Sequence, residues 1–297
     1  NLAASLASSA STNRVTRLDN VTCSYCGTHL NKVNKSLEHT VGRRFVPRGK
    51  LNANWNLLLY ACQHCNNAKA DLENDISAIT LQPDFDRHHD EYDANVIKDA
   101  QRKGRNAVSR KTRKPVQESG ERLRLSIPLE NIGQLDFDLT AGPQIQEDRA
   151  FNLARLQLTA FFYFLTFQNT EKRGYPWKGE FMSVMMARRS DWGNAIMMDF
   201  MRAVRPWDYR LNCTTAEGFF RVCIRRHPTE ELWSWVVEWN VSIRLIGFFG
   251  CSNTAQSVVD SFGPLKVQHY DLGGGDWAQY RTEVPLDPAD DVAFDVD

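Results

Sequence analysis

Apolar positions change period along the chain. Residues 70–79 carry Leu72, Ile76 and Ile79 at helical spacing. Residues 92–114 extend as a second helix with a thin apolar face and many Arg and Lys, and Pro115 is expected to end it. Short strand signals follow at 122–127 and 134–139, separated by Asn131 and Gly133. The segment 148–167 is apolar enough for a buried helix, and a further helix is predicted over 192–204, stopped before Pro206. Three strands are predicted at 219–225, 232–239 and 241–249. In the second, Trp233, Trp235, Val237 and Trp239 alternate with other residues. That stripe is expected to be sheet core, although Trp177, Trp192 and the stripe offer rings on which bases could stack. One or two last strands are expected in 265–284.

This pattern predicts an α+β protein with an antiparallel sheet. We divide it into a flexible lead-in (1–19), a first unit (20–120) and an α+β domain (121–297). The longest apolar runs, 158–167 and 241–250, are too short to span a bilayer, so no membrane partner is expected. An apolar fraction of 42% is enough for a sizeable core.

Charge sharpens the picture through its distribution. The formal net charge is zero, yet residues 98–124 hold ten Lys or Arg and three acids. After Thr282 the balance reverses, with Glu283, Asp287, Asp290, Asp291, Asp295 and Asp297. The basic stretch points to nucleic acid, whereas the acidic tail reads as solvated.

Of seven cysteines, Cys23/Cys26 and Cys62/Cys65 form two C-x2-C pairs. Each pair directs two thiolates at one tetrahedral point, and the two together make a closed, structural zinc site. The odd count, without a secretory signal, argues for a reducing compartment, where paired cysteines bind metal, and a cytoplasmic location is expected. Cys213, Cys223 and Cys251 lie in apolar stretches and are expected in the core. His29 is a weak alternative zinc ligand. His64 is expected to pack or face solvent, and His88-His89 to sit in a solvated turn.

Between and after the cysteine pairs lie Glu38-His39, Asn56-Leu57 and the run Cys62-Gln63-His64-Cys65-Asn66-Asn67-Ala68-Lys69. In order and type these elements resemble the HNH family of His-Me finger (ββα-metal) nucleases over about residues 20–80. The resemblance implies a small zinc-clipped ββα nuclease domain hydrolysing DNA phosphodiesters. It makes His39 the general base and Glu38 and Asn66 ligands of a catalytic Mg2+ or Mn2+. Asn56 would brace the His39 loop. Asn54 competes with Asn56 and Asn67 with Asn66, and the segment 41–50 is a longer, basic insertion than the family usually carries. The residue chemistry agrees: an imidazole titrates near neutrality, and a hard ion takes oxygen ligands. Arg43, Arg44, Arg48, Lys50, Lys69, Arg102, Lys103 and Arg105 are the expected phosphate contacts. By analogy the setting is bacterial restriction or anti-phage defence, with the 121–297 domain supplying specificity, control or a protein partner. The competing readings are a non-catalytic zinc module that binds nucleic acid, and an RNA-cleaving toxin-like nuclease.

Overall fold

The computed structural model describes residues 15–82, 93–129, 133–141, 144–273 and 276–295. The expected lead-in up to residue 14 and the His88-His89 turn lie outside them.

The first unit is a hairpin laid against a helix. Strands β1 (Val15–Arg17), β2 (Lys35–His39) and β3 (Asn56–Cys62) form a sheet in the order β1-β3-β2. The central β3 runs parallel to β1 and antiparallel to β2. Its sequence NLLLYAC is buried almost throughout, as expected for a strand covered on both faces. Helix α1 (Gln63–Thr80) starts directly at Cys62, which serves as its N-cap. Helix α2 (Ala94–Asn106) is capped by Asp93, whose carboxylate accepts from the amides of Asn95 (2.9 Å) and Val96 (3.0 Å). It ends at Asn106, well before Pro115. Ala107 turns extended, and a tight reversal follows in which the Ser109 amide donates to Lys114 O (2.9 Å). Gly104 and Asn106 are poor helix formers, and they stop the helix before the proline is reached.

Strands β4 (Glu121–Leu129) and β5 (Gly133–Ala141) pair as an antiparallel hairpin, and α3 (Glu147–Leu165) follows. The main sheet is built from β6 (Phe181–Arg188), β7 (Asp208–Thr215), β8 (Phe220–Arg226), β9 (Leu232–Trp239) and β10 (Ile243–Gly250). All neighbours in its order β6-β10-β9-β8-β7 are antiparallel. The third predicted strand starts at 243 rather than 241, because Asn240 and Val241 both take positive φ (51° and 57°) in the turn. Helix α4 (Ala195–Val204) starts three residues later than predicted, after a short 3-10 turn at Arg189–Asp191. Helix α5 (Ser252–Val259) and the pair β11 (Gln268–Gly273) and β12 (Asp276–Tyr280) complete the described elements.

Helix α3 lies across one sheet face. Phe151 meets Trp235 edge-on (centroids 6.2 Å apart), and Trp239 Nε1 donates to Gln157 Oε1 (3.0 Å). The other face packs Met197, Phe200 and Met201 of α4 against Ile246, Phe248 and Trp192. Trp192, Trp235 and Trp239 are thus core residues, whereas Trp177 and Trp233 are only half-buried.

Three expectations change. The division near residue 120 does not separate two cores. Leu57, Leu59 and Phe45 of the first unit share one apolar cluster with α3 and with Trp235, Trp239 and Leu245. Polar bonds cross the same boundary: Asn240 Nδ2 donates to Phe45 O (3.2 Å) and Thr80 Oγ1 (2.7 Å). The acidic tail is solvated at Glu283, Asp287, Asp290 and Asp295, as expected, but it is anchored at Asp291 and Phe294. Arg244 grips the Asp291 carboxylate at 3.1 and 2.7 Å, and Phe294 is buried under the Arg221 guanidinium, 3.8 Å from its ring centre. Finally, Cys213 and Cys223 are buried, but Cys251 is exposed, because it stands outside the sheet as the N-cap of α5.

Among the described residues no helix is long and apolar enough to cross a membrane.

Candidate active site

Four cysteines join the loop after β1 to the junction of β3 and α1. The thiols of Cys23, Cys26, Cys62 and Cys65 all lie within 4.8 Å of one another. Cys26 and Cys62 Sγ are 3.8 Å apart, about the edge of a tetrahedron with Zn–S bonds of about 2.3 Å. In the first knuckle the Gly27 amide donates to Cys23 O (2.9 Å), and Gly27 takes φ +77°, which a side chain would resist. In the second, Cys62 ends β3 and Cys65 lies in the first turn of α1.

Electrostatics supports a cation there. Burial pushes the Cys23 and Cys65 thiols up, and Cys65 rises further beside Cys23. Burial also opposes ionisation of Cys26, but hydrogen bonds from Thr28 and the neighbouring thiols outweigh it and bring Cys26 to about 7. Four thiolates at this spacing repel one another, and a divalent ion removes that conflict. The four thiols can therefore hold a structural zinc. Among the described residues no other group of three or more His, Cys, Asp or Glu converges in this way, and His29 and His64 are exposed outside it.

Beside the clip, Glu38 and His39 end strand β2. Glu38 is buried and points inward, toward α1. Its Oε1 accepts from Tyr25 OH (3.1 Å) and pairs with Lys69 Nζ (2.7 Å). Lys69 also reaches Glu73 Oε1 (2.7 Å) and His39 O (3.0 Å). Burial works against charge on Lys69, but Glu73 and Glu38 more than compensate and raise it, so it stays an ammonium. Glu73 in turn sits against Gly42, where a Cβ would lie 2.4 Å from its carboxylate, so a side chain there would push the carboxylate away from its place beside Lys69.

His39 itself is half-buried, and its Nε2 is buried with no hydrogen-bond partner among the described residues. Burial depresses its pKa, Arg43 and Lys69 add to this, and Glu38 only partly opposes them. The imidazole is thus neutral around neutral pH. The chain beyond it is pinned by Asn56, whose Nδ2 donates to Val41 O (2.8 Å) and whose Oδ1 accepts from Val41 N (3.3 Å). Asn54 faces elsewhere and donates to Lys50 O (2.9 Å). Asn66 faces β2 and donates to Ser36 Oγ (2.6 Å), whereas Asn67 is exposed and bonds to Gln63.

The structure thus brings His39, Asn56, Glu38 and Lys69 around one strand end but gathers no second set of ion ligands among the described residues. The Glu38 carboxylate is already shared by Tyr25 and Lys69, and Asn66 is engaged with Ser36. Tyr25 and Glu73 belong to this cluster and were not expected from the sequence. Glu73 carried a weak signal, four residues after Lys69 in a helix, whereas Tyr25 carried none.

The expected phosphate contacts divide by burial. Lys69 is 1% exposed and faces the interior. Lys103 is also buried, donating to Val46 O and Ser77 Oγ (3.0 Å each), and burial pulls it down to about 8. Lys50 is held between Asp93 (2.8 Å) and Glu217 (2.6 Å). Arg43, Arg44, Arg48 and Arg105 are exposed, with no ion pair among the described residues. Arg43, Arg44 and Arg48 line a cleft of about 590 Å3 with Asn74, Asn106 and Arg102, whose guanidinium also touches Asp99 (2.6 Å).

The chain matches no family profile, no curated protein and no solved structure, so the chemistry is argued from this geometry.

Proposed function

We propose that this chain is a nuclease that hydrolyses DNA phosphodiester bonds, with His39 as general base. His39 would take a proton from water as the water oxygen attacks phosphorus, and the 3′ oxygen would leave and be protonated from solvent. The observation that carries the reading is the neutral imidazole of His39, whose buried Nε2 has no hydrogen-bond partner among the described residues, at the end of the hairpin beside the four clustered thiols. Its backbone is fixed by Lys69 and Asn56. Arg43 lies close enough to depress its pKa and opens into the arginine-lined cleft, which suits a polyanion.

Glu38 acts here as a positioning residue, locking β2 to α1 through Lys69. A divalent ion, when bound, would stabilise charge on the phosphate and the leaving oxygen. Glu38 and Asn66 do not form a ready cradle for one, because Tyr25 and Lys69 hold the first and Ser36 the second.

The closing of Glu38 by Lys69 and Tyr25 favours a second reading, a zinc-framed module that binds nucleic acid without cutting it. One experiment separates them: incubation of plasmid, linear DNA and RNA with the full chain in Mg2+, in Mn2+ and in chelator. The nuclease reading expects plasmid nicking. His39→Ala should reduce it about 10²–10⁴-fold, with zinc content and DNA affinity unchanged. Tight DNA binding with no cutting under any condition supports the module, and cutting confined to RNA replaces the substrate. Normal cutting by His39→Ala removes this histidine from the chemistry.

A further inference from the structure

The tryptophans of the aromatic stripe have different fates. Trp235 and Trp239 are fully buried, but Trp233 is half-exposed and lines a second cavity of about 440 Å3 together with Trp177. Both rings are held from behind. Phe162 meets Trp177 and Trp233 edge-on (5.4 and 5.6 Å), and Phe249 packs on each at 4.9 and 5.7 Å. Trp177 is fixed further by its Nε1, which donates to Glu180 O (3.0 Å).

The walls leave no room for side chains at two points. A Cβ on Gly179 would lie 2.7 Å from the Trp177 ring, and one on Gly250, at φ +125°, would lie 2.1 Å from Glu231 O. Three charged groups complete the lining. The Glu180 carboxylate accepts from Ser252 N (3.0 Å) through one oxygen, and Glu231 is exposed with no ion pair among the described residues. The Arg226 guanidinium stands 5.8 Å from the Trp233 ring centre, also without an ion pair among the described residues.

We propose that this cavity is a nucleobase-binding pocket that selects guanine. Fixed, half-exposed indoles suit the flat face of a base, whatever its identity. The two carboxylates call for an edge rich in N–H donors, and guanine has the richest, with N1–H and the 2-amino group side by side. Its O6 and N7 acceptors suit a guanidinium such as that of Arg226. The same guanidinium disfavours an organic cation, because a positive charge already occupies the approach to Trp233. The proposal rests on the nucleic-acid reading given above and makes the sheet domain its base reader.

The test uses nucleosides, which lack phosphate and so do not draw on the arginine cleft. In equilibrium dialysis of the full chain against guanosine, adenosine, cytidine and uridine, guanosine should bind at least about tenfold more tightly than the others. Glu231→Gln changes an exposed residue and should bring guanosine down to the level of adenosine. Trp177→Ala should weaken every nucleoside about 5- to 150-fold, the range expected for a lost stacking contact. Should Trp177→Ala fail to fold, Trp177→Leu gives the same reading with less loss of volume. Equal binding of all four nucleosides, no effect of Glu231→Gln, or preferential binding of tetramethylammonium would overturn the pocket as a guanine site. Because His39 takes no part in this measurement, guanosine binding without cleavage separates failure of the nuclease reading from failure of the pocket.

Discussion

The unit of residues 15–82 and the sheet of residues 181–250 each bury a cation between two acids, and they do it on different foundations. In the first, Lys69 sits between Glu38 and Glu73, at 2.7 Å from each, next to four clustered thiols. In the second, Arg244 sits between Glu238 (2.9 Å) and Asp291 (2.7 Å), with its guanidinium 4.2 Å from the Trp192 ring centre. The sheet surrounds its trio with the Trp192 and Phe294 rings, and its own ion pairs and packing hold it. The hairpin unit has three short strands of its own, leans on the sheet at one end and carries at the other four thiols that can hold a metal. Order around His39 is therefore expected to depend on two outside supports, whereas the sheet has a second cluster of its own against α4 besides the core it shares with the hairpin unit.

The largest expected effect is removal of the first support. Structural zinc in small units contributes about 10–16 kcal/mol of binding energy that doubles as folding energy. Chelation, or Cys62→Ser, should loosen residues 15–82 while the sheet persists, as read by hydrogen exchange. Elemental analysis of fresh protein should give one zinc per chain. Zinc-free protein with full protection in the hairpin would break the comparison.

Removal of the second support comes next. Phe45 meets Trp239 edge-on at 5.5 Å, and Asn240 bonds to Phe45 O. Trp239→Ala should cost about 3–5 kcal/mol in chemical denaturation. It should also speed zinc loss to a chelator, although Trp239 lies far along the chain from every cysteine. A chain ending at Gly120 should not fold stably, because Leu57, Leu59 and Phe45 would lose their partners. A folded, zinc-bound fragment of that length would show that the shared core is dispensable.

How much of this was legible follows from where each signal resides. The thiol site, the hairpin–helix order around it and the strands at 219–249 rest on local spacing and alternation, and the sequence carries both. Strand β6 (FMSVMMAR) shows no clean alternation, and β7 (DYRLNCTT) is a polar edge strand, so neither announced itself. The shared core was hidden because Phe45 and Trp239 are 194 positions apart, and no local pattern reports such a contact. Burial likewise decided which basic residues face solvent. Lys69 and Lys103 look like phosphate ligands by charge, but they are interior residues by position.

A third test compares the two buried trios directly. Lys69→Met would leave Glu38 and Glu73 buried together without their cation, at a cost of about 3–5 kcal/mol. Arg244→Met would do the same to Glu238 and Asp291. If zinc and sheet are the separate foundations described, Lys69→Met should shift zinc retention and His39-dependent cutting. Arg244→Met should leave both unchanged and instead expose the C-terminal segment 287–295 to protease. Equal effects of the two substitutions on zinc retention would erase the distinction.

The smallest effect per substitution concerns the surface that joins the two regions to a substrate. Exposed arginines bind phosphate largely by releasing counterions, so each contact adds about 0.9 to the steepness of log affinity against log salt on duplex DNA. Arg43, Arg44 and Arg48 line the cleft and make no side-chain ion pair among the described residues, so their combined change to Ala should lower that slope by about 2.7. Arg102→Ala should count for less, because Asp99 already neutralises part of its charge. Lys103→Met should leave the slope untouched, since its ammonium donates to Val46 O and Ser77 Oγ inside the fold. The losses should be alike for unrelated sequences, because phosphate contacts carry no base identity. Fluorescence anisotropy on two unrelated duplexes over a salt series measures all of this at once. A slope that falls with Lys103→Met but not with the three arginines would move the nucleic acid off the cleft, and with it away from His39.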